Sequence, residues 1–114
     1  MADDCIFCKI AQGSIPANFV YQDDEIIAFR DINPHAPVHV LICTRQHITN
    51  VAEVTDQTAP LMGRLIKVAA DIARQEGVAD KGFRLLTNNG PEGGQVVMHL
   101  HFHLMGGRQM KGLG

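Results

Sequence analysis

The sequence predicts a small antiparallel α+β domain. Three observations support this: short β-prone segments separated by turn residues, one long segment of helical period, and a hydrophobic fraction of 46% in 114 residues. Strands joined mostly by hairpins, with one helix long enough to cover a sheet, are typical of this class. At this length folding buries roughly two-thirds of the surface of the unfolded chain, so a core forms without disulfides. We therefore expect residues 1–114 to form one domain.

Two segments have the hydrophobic period of a helix. From Ala59 to Glu76 apolar residues recur at helical spacing, after a capping signal at Thr55-Asp56 and before Gly77, which predicts a long helix against a sheet. Its apolar stripe consists of Met62, Leu65, Ile66, Ala69, Ile72 and Ala73. Residues 5–12 predict a shorter helix that ends at Gly13. The apolar face of that helix consists of Ile6, Phe7 and Ile10.

Five short apolar segments are expected to form the sheet. They are residues 19–22, 26–30, 38–43, 83–87 and 98–105. The first two, with Asp23-Asp24 between them, predict a hairpin. The third segment is apolar on both faces, which is typical of a central strand. Residues 88–95 contain three glycines and predict a loop before the last strand.

Charge and hydropathy exclude several function classes. The ten basic residues are scattered against twelve acidic ones, so the sequence lacks the basic patch of a nucleic-acid-binding protein. Two of the first four residues are acidic where a signal peptide is basic, and no apolar run reaches the roughly 18 residues that span a bilayer. We expect a cytoplasmic protein with neither nucleic acid nor a membrane as a partner.

His99, His101 and His103 alternate along the last predicted strand. Because side chains alternate across a strand, the three imidazoles are expected on one face and the residues between them on the core face. The residues expected on the core face are Met98, Leu100, Phe102 and Leu104. Three histidines can ligate a metal, or one can act as a nucleophile or general base that the others orient. The loop before them favours phosphate as the ligand, because Gly93 and Gly94 let backbone N–H groups approach an anion.

The stretch from His99 to Met105 has the pattern H-x-H-x-H-x-x with an apolar residue at every x, and on this motif the chain resembles the histidine triad (HIT) family. The resemblance covers nearly the whole chain and is strongest to the bacterial-type members of the nucleotide-binding, nucleoside phosphoramidase branch. The other matching stretches are Ile6–Ile10, Ile15-Pro16, Ala28–Ile32, Ala36–His39 and Gly106–Met110. The resemblance implies a five-stranded antiparallel sheet with one long and one short helix, paired across a homodimer into a ten-stranded sheet.

The resemblance also implies an activity: hydrolysis of purine nucleoside 5′-phosphoramidates or acyl-adenylates, with no metal required for catalysis. His101 attacks the α-phosphorus in such enzymes, His103 contacts the phosphate and helps proton transfer to the leaving group, and His39 supports the cluster. Asp31 is expected to hold the ribose hydroxyls, a role that a carboxylate can fill. The other residues implied at the nucleotide, besides His101 and His103, are Ile6, Phe7, Ile10, Phe29 and Ile32 around the base and Asn88, Gly94 and Gln95 near the phosphate.

Two positions depart from the relatives that the chain resembles. Val96 follows the Gly-Gly-Gln sequence where close relatives often carry Ser, so a hydroxyl donor beside the phosphate is missing. The tail at residues 111–114 lacks the aromatic residue that some relatives send into the partner's site. Three alternatives stay open: a dinucleoside polyphosphate hydrolase or nucleotidyl transferase, a nucleotide-binding regulatory module with vestigial turnover, or a zinc-dependent scaffold without a nucleotide role. The missing hydroxyl at Val96 bears on the second of these.

Cys5 and Cys8 have the C-x-x-C spacing that zinc sites and thiol redox pairs share. A thioredoxin-like pair follows a strand, and only four residues precede Cys5, which favours metal binding. Some histidine triad proteins have the same pair with a histidine beyond the central strand, here His47, and the first triad histidine, here His99. The resemblance therefore implies a structural Cys₂His₂ zinc site. Cys43 is expected to be a small buried apolar residue.

Overall fold

The computed structural model describes residues 4–113 and contains a five-stranded antiparallel sheet with a helix on each face, which confirms the predicted fold class. In chain order the elements are α1 (Ile6–Ala11), β1 (Phe19–Gln22), β2 (Ile26–Arg30), β3 (Val38–Thr44), α2 (Ala59–Gln75), β4 (Phe83–Leu86) and β5 (His101–Gly106), with a 3₁₀ turn at Val51–Glu53 before α2. The strands lie in the order β1-β2-β3-β5-β4, and every neighbouring pair is antiparallel. β3 is central, as its sequence predicts.

The alternation of side chains along β2 gives the sheet two apolar faces. Ile26 and Ala28 pack with α2, whereas Ile27 and Phe29 pack with α1. β3 continues both faces, and its residues 39–44 are all buried. The β1–β2 turn is formed at Asp23, whose carboxylate accepts hydrogen bonds from the two backbone N–H groups at the start of β2 (2.8 Å each).

α2 has the predicted length, but its buried stripe is centred differently. The residues that it buries are Leu65, Val68, Ala69, Ile72 and Ala73. Ile66 is 50% exposed, so its assignment to the stripe is wrong, because it lies beyond the edge of the arc that contacts the sheet. Thr58 rather than Thr55-Asp56 is the N-cap, and Gly77 follows the helix at φ +78°. Among residues 4–113, no helix combines the length and the apolar character that crossing a membrane requires.

α1 is a single short helix that ends before Gly13, as predicted, but it buries a different face. Phe7, Cys8 and Ile10 are buried, whereas Ile6 is 46% exposed. Cys5 is the N-cap residue, and its sulfur accepts a hydrogen bond from the Cys8 N–H (3.4 Å). The apolar face of α1 therefore includes a cysteine that the hydrophobic spacing did not select.

The last strand begins at His101, three residues later than predicted. The Leu100 N–H donates to the Ile48 carbonyl (2.6 Å), so the segment before β5 is tied to the chain that follows β3 and stays outside the ladder. Met98 is 45% exposed, and the prediction that it faces the core is wrong. The other three residues expected on the core face, Leu100, Phe102 and Leu104, pack into the α2 core as predicted.

Candidate functional site

His39, His101 and His103 lie together on the face of the sheet that carries α1. In the β3–β5 ladder Leu41 faces His103 and Cys43 faces His101, so the two β5 histidines share a face with His39. The His103 ring lies between the other two, with ring centroids 5.1 Å from His101 and 5.2 Å from His39. Two antiparallel strands thus bring together histidines 64 residues apart in the sequence.

A chain of hydrogen bonds determines which nitrogen of each ring carries the proton. The His35 backbone N–H donates to Nδ1 of His39 (3.0 Å), so a neutral His39 carries its proton on Nε2. That Nε2–H points to Nδ1 of His103 (2.9 Å), which therefore accepts. His103 is left with its proton on Nε2, and this N–H is its donor group.

His101 has the opposite arrangement. Its Nδ1 lies 2.6 Å from the His99 carbonyl oxygen, which can only accept, so Nδ1 carries the proton and Nε2 keeps its lone pair. The ring packs edge to face on Phe7, with centroids 5.0 Å apart and an interplanar angle of 88°. His101 is therefore held in the tautomer that a nitrogen nucleophile or base needs.

Burial lowers the pKa of all three rings, because desolvation penalises the charged imidazolium. The effect is largest at His103, where burial and then the nearby His101 and His39 lower the pKa to about 4. Asp31 opposes the shift at each ring, because its charge favours protonation. All three histidines are consequently neutral at pH 7.

The Asp31 carboxylate lies beside this group of histidines. One oxygen accepts a hydrogen bond from the Asn33 N–H (2.8 Å), and the other lies 3.4 Å from Nε2 of His39. Donor atoms of Asp31, His39 and His103 lie within 4.8 Å of one another, which is compatible in distance with a metal site. Because Nε2 of His39 carries a proton in this hydrogen-bond chain, the group acts as a relay of donors and acceptors and offers no lone pair there to a cation.

The apolar residues expected around the base divide into two groups. Phe7 and Phe29 pack edge to face with centroids 5.4 Å apart, and Ile10 is buried in the same cluster. Ile6 is 46% exposed, and Ile32 is 93% exposed in the turn after β2. The structure thus brings Phe7, Ile10 and Phe29 together in one cluster that contacts His101 through Phe7, whereas Ile32 projects into solvent.

The glycines of the loop before β5 shape a turn. The N–H groups of Gly93 and Gly94 donate to the carbonyls of Gly90 and Pro91 (3.1 Å each). The expectation that these two groups are free for an anion is therefore wrong in its physical reason. A Cβ at Gly93 would lie 2.4 Å from the Asn89 carbonyl oxygen, and Gly94 has φ +86°, so the turn itself requires glycine at both positions.

Gln95 holds this loop in place. Its amide nitrogen donates to the carbonyls of Thr49 (2.7 Å) and Val97 (3.0 Å), and its amide oxygen accepts from the Gly90 N–H (2.8 Å). These bonds account for both donors and one acceptor position of a buried side chain. Asn88 lies about 4 Å from the position of a Cβ on Gly94, at the inner side of the turn. A scaffolding role for Gln95 was missed from the sequence.

The predicted metal ligands Cys5, Cys8, His47 and His99 form one cluster, with donor atoms within 4.8 Å of one another. Nδ1 of His99 lies 3.1 Å from Sγ of Cys5 and 3.6 Å from Sγ of Cys8, and Nδ1 of His47 lies 3.3 Å from Sγ of Cys8. A tetrahedral zinc ion separates its sulfur and nitrogen ligands by about 3.6 Å, given the usual bond lengths. The cluster therefore has the size of a Cys₂His₂ zinc site.

The protonation of the cluster also fits a metal. Nε2 of His99 lies 2.6 Å from the Thr44 carbonyl and donates to it, so Nδ1 presents a lone pair to the two sulfurs. Burial, then the hydrogen bond and charge of Cys5, raise the pKa of Cys8 to about 11, so metal binding has to displace its proton. Cys43 is fully buried in the apolar cluster, as predicted, and takes no part in this site.

Comparisons with known proteins agree with this geometry. A family model described as HIT domain matches residues 12–110. Over 110 residues the chain is 49% identical to the purine nucleoside phosphoramidase of Escherichia coli, covering 96% of this chain and 92% of that protein. It is 46% identical over 109 residues to a 14 kDa zinc-binding protein of Brassica juncea, covering 94% and 96% of the two chains.

Solved structures show the same similarity. A HIT family hydrolase from Clostridium thermocellum superposes with a TM-score of 0.94 at 45% identity, covering 97% of this chain and 96% of the other. Similarity of this extent in both sequence and structure confirms the resemblance that the histidine motif indicates. The chain therefore belongs to the HIT family and is a hydrolase of that family.

Proposed function

We propose that this protein hydrolyses purine nucleoside 5′-phosphoramidates and acyl-adenylates through a covalent nucleotidyl-His101 intermediate. The observation that carries the proposal is the hydrogen bond from Nδ1 of His101 to the His99 carbonyl, which leaves Nε2 as a neutral nucleophile. Similarity to a protein named purine nucleoside phosphoramidase supports the substrate class.

In the first step Nε2 of His101 attacks the α-phosphorus, and the bond from phosphorus to the leaving nitrogen or acyl oxygen breaks. An amine leaving group needs a proton, and His103 has an Nε2–H on the same face of the sheet. The bound phosphate raises the pKa of His103 above its value in the free enzyme, because a negative charge favours the imidazolium. Substrate binding thus increases the fraction of His103 that is imidazolium, the form that can give a proton to the leaving nitrogen and remain a neutral ring.

In the second step water attacks the phosphorus of the nucleotidyl-histidine and the bond to Nε2 of His101 breaks. His103 takes up a proton from that water, so both histidines return to their starting forms and nucleoside monophosphate leaves. His39 keeps the His103 ring oriented through the bond to its Nδ1. Splitting the reaction in this way replaces one difficult displacement with two easier ones.

Residues around the histidines are proposed to contact the ribose, the base and the phosphate of the nucleotide. Asp31 accepts hydrogen bonds from the ribose hydroxyls through the oxygen that faces His39, and Phe7 and Phe29 contact the base. Ile6, Ile10 and Ile32 extend that apolar contact, with Ile32 covering the base from its exposed position. The turn formed by Asn88, Gly94 and Gln95 borders the phosphate.

Zinc held by Cys5, Cys8, His47 and His99 is the structural metal of this proposal. It supplies a crosslink between α1, the chain after β3 and the segment before β5, and the hydrolysis itself requires no metal. The two thiolates persist in a reducing compartment, which supports a cytoplasmic location.

We also propose that two chains pair along β4 into a ten-stranded sheet. β4 is an edge strand that bonds to β5 on one side, and its Phe83 is 38% exposed. A groove of about 1400 Å³ runs beside it, lined by Leu85 and Met110 among others. Light scattering on the purified chain tests the pairing, and a mass of one chain contradicts it.

Steady-state kinetics test the proposed reaction. We expect a higher kcat/KM on adenosine 5′-phosphoramidate than on a dinucleoside polyphosphate, and rapid quench should trap an acid-labile, base-stable phosphorus adduct on His101. A preference for the dinucleoside identifies the other hydrolase class. Tight binding of nucleoside monophosphate with negligible turnover of both substrates identifies a regulatory module, an alternative to which the missing hydroxyl at Val96 points.

A further inference from the structure

We infer that occupancy of the Cys5, Cys8, His47 and His99 cluster by a metal positions His101, and that His99 is the positioning residue. The inference rests on the proposed function, because it concerns the alignment of the nucleophile. It gives the metal a role in turnover, beyond holding the fold together, without any contact between the metal and the substrate.

The first contact that carries the inference is within one residue. The His99 ring presents Nδ1 to the two sulfurs, while the carbonyl of the same residue accepts the Nδ1–H of His101 at 2.6 Å. The orientation of that carbonyl follows from the placement of the ring, since both belong to one short backbone segment. A metal on the ring therefore fixes the acceptor that selects the His101 tautomer.

The position of His99 in the chain makes this dependence strong. The ladder between β3 and β5 begins at His101, opposite Cys43, so the sheet does not hold the His99 peptide. Besides the packing of Leu100 in the α2 core, three polar contacts hold this segment: the Leu100 N–H bond to Ile48 and the two bonds of the His99 ring, to Thr44 and to the cysteines. Without the metal, the contact between the His99 ring and the cysteines is only a hydrogen bond to a thiol, which is weaker than a coordination bond.

A second contact runs through α1. Cys5 and Cys8 flank Phe7, whose ring lies against both His101 (5.0 Å) and His99 (5.9 Å). α1 has six residues, fewer than an isolated helix needs for stability, so its position depends on what it is attached to. A metal bound by both cysteines attaches α1 to His47 and His99, and this attachment keeps Phe7 in contact with His101.

The nucleotide contacts outside α1 are separate from these restraints. Asp31 and Phe29 belong to β2 and the turn after it, and the His39–His103 pair is held by the His35 N–H. Phe29 is held by the β2–β3 ladder, so this base contact persists in the metal-free protein. Metal loss should therefore lower kcat and leave nucleotide affinity nearly unchanged.

The test compares zinc-loaded wild-type protein with protein freed of metal by a chelator under reducing conditions, at a temperature where far-UV circular dichroism shows both to be folded. We expect kcat on adenosine phosphoramidate to fall by about 10-fold or more, as for other groups that orient a site from outside it. The Kd of AMP should change by less than about twofold, an effect under about 0.4 kcal/mol. Added Zn²⁺ should restore kcat.

Two spectroscopic readouts are independent of turnover. Protein loaded with Co²⁺ should show the charge-transfer bands of two thiolate ligands. The ¹⁵N chemical shifts of the His101 ring should change from a single Nδ1–H tautomer to a mixture of tautomers when the metal is removed.

Matched variants complete the test. Cys5→Ser and His47→Gln should reproduce the metal-free kcat, whereas Cys43→Ala, which removes a buried thiol outside the cluster, should retain the wild-type value. Equal kcat with and without metal, an unchanged His101 tautomer, or loss of AMP affinity and helical signal together with kcat would each overturn the inference. A fully loaded protein that hydrolyses nothing contradicts the proposed function instead, and the ring shifts then decide the inference alone.

Discussion

His99 and His101 are two residues apart, both are buried, and each donates one ring N–H to a backbone carbonyl, yet their free nitrogens differ. His99 donates through Nε2 to Thr44, so Nδ1 faces the cysteines. His101 donates through Nδ1 to His99, so Nε2 is free. The difference shows that the main chain, by taking one nitrogen, determines which chemistry the other nitrogen can perform.

The two groups of histidines also differ in what surrounds them. The proposed metal cluster, formed by Cys5, Cys8, His47 and His99, combines two histidines with two thiols, and its rings face sulfur. The relay formed by His39 and His103 combines two rings with the Asp31 carboxylate, and its rings face each other and a backbone N–H. Thiol sulfurs and imidazole nitrogens that present a lone pair suit zinc, whereas a chain of hydrogen-bond donors and acceptors suits proton transfer. The following predictions separate the two groups.

The largest effect is expected at His101, the proposed nucleophile. His101→Ala should lower turnover of a phosphoramidate by at least about 10⁴-fold, as removal of a covalent nucleophile does elsewhere. AMP should still bind, because Asp31 and Phe29 are untouched. His101→Asn is the control for packing, since its amide can donate to the His99 carbonyl but cannot attack phosphorus. Retention by His101→Ala of more than about a tenth of wild-type turnover would contradict nucleophilic catalysis here.

A smaller loss is expected in the relay. His103→Ala should lower kcat by about 10²-fold, the usual contribution of one acid–base group, and should also weaken AMP binding because a donor to the phosphate is lost. Zinc content should remain that of the wild type, since His103 lies outside the metal cluster. Measuring kcat, the Kd of AMP and bound metal on one preparation checks all three. A variant that loses zinc would show that the two clusters are not independent.

The sequence allows the fold to be predicted from period and residue type, and it allows the roles of the histidines to be predicted from the resemblance to the histidine triad family. Five strands and both helices follow from patterns that are local in the chain, whereas the ligand set of the metal cluster follows from the resemblance to the histidine triad family. The start of β5 does not, since an alternating pattern over residues 98–105 is equally compatible with a strand from Met98. The contacts that end the ladder at His101 are made by Thr44 and Ile48, more than 50 residues away.

The sequence also does not indicate which polar groups already form hydrogen bonds within the protein. Gly93 and Gly94 predict an anion-binding loop only if their N–H groups are free, and the turn uses both of them. The Gln95 amide could donate to a phosphate, but its side chain is instead hydrogen-bonded to three backbone groups. The His35 N–H that orients His39 has no sequence signature. The fold determines which groups become hydrogen-bond partners, so a sequence motif identifies the histidines but not their tautomers.

The relay should also make the protein sensitive to acid. The folded-state pKa of His103 is about 4, below its ordinary value of 6.5, so the unfolded chain binds more protons between these values. Stability present above pH 6.5 is therefore lost as the pH falls toward 4. The melting temperature should fall by several degrees over this range, and His103→Gln should reduce the fall. His35→Gln, which changes an exposed ring and keeps the backbone donor to His39, is the control. Equal pH profiles for the two variants would contradict this.

The smallest effect is expected at Val96, which is 89% exposed in the loop before the histidines. Val96→Thr adds a hydroxyl while keeping the branched shape, and it should raise kcat on phosphoramidates by up to about tenfold, or about 1.4 kcal/mol, by donating to the phosphoryl group or the leaving nitrogen. The Kd of AMP should not change, because the donor acts mainly on the departing group. Val96→Ala removes both methyl groups without adding a donor and should leave kcat at the wild-type value. If Val96→Thr and Val96→Ala have the same kcat, another group already donates to the leaving group. His103 is the available donor, because its bond to His39 uses Nδ1 and leaves its Nε2–H free of that neighbour.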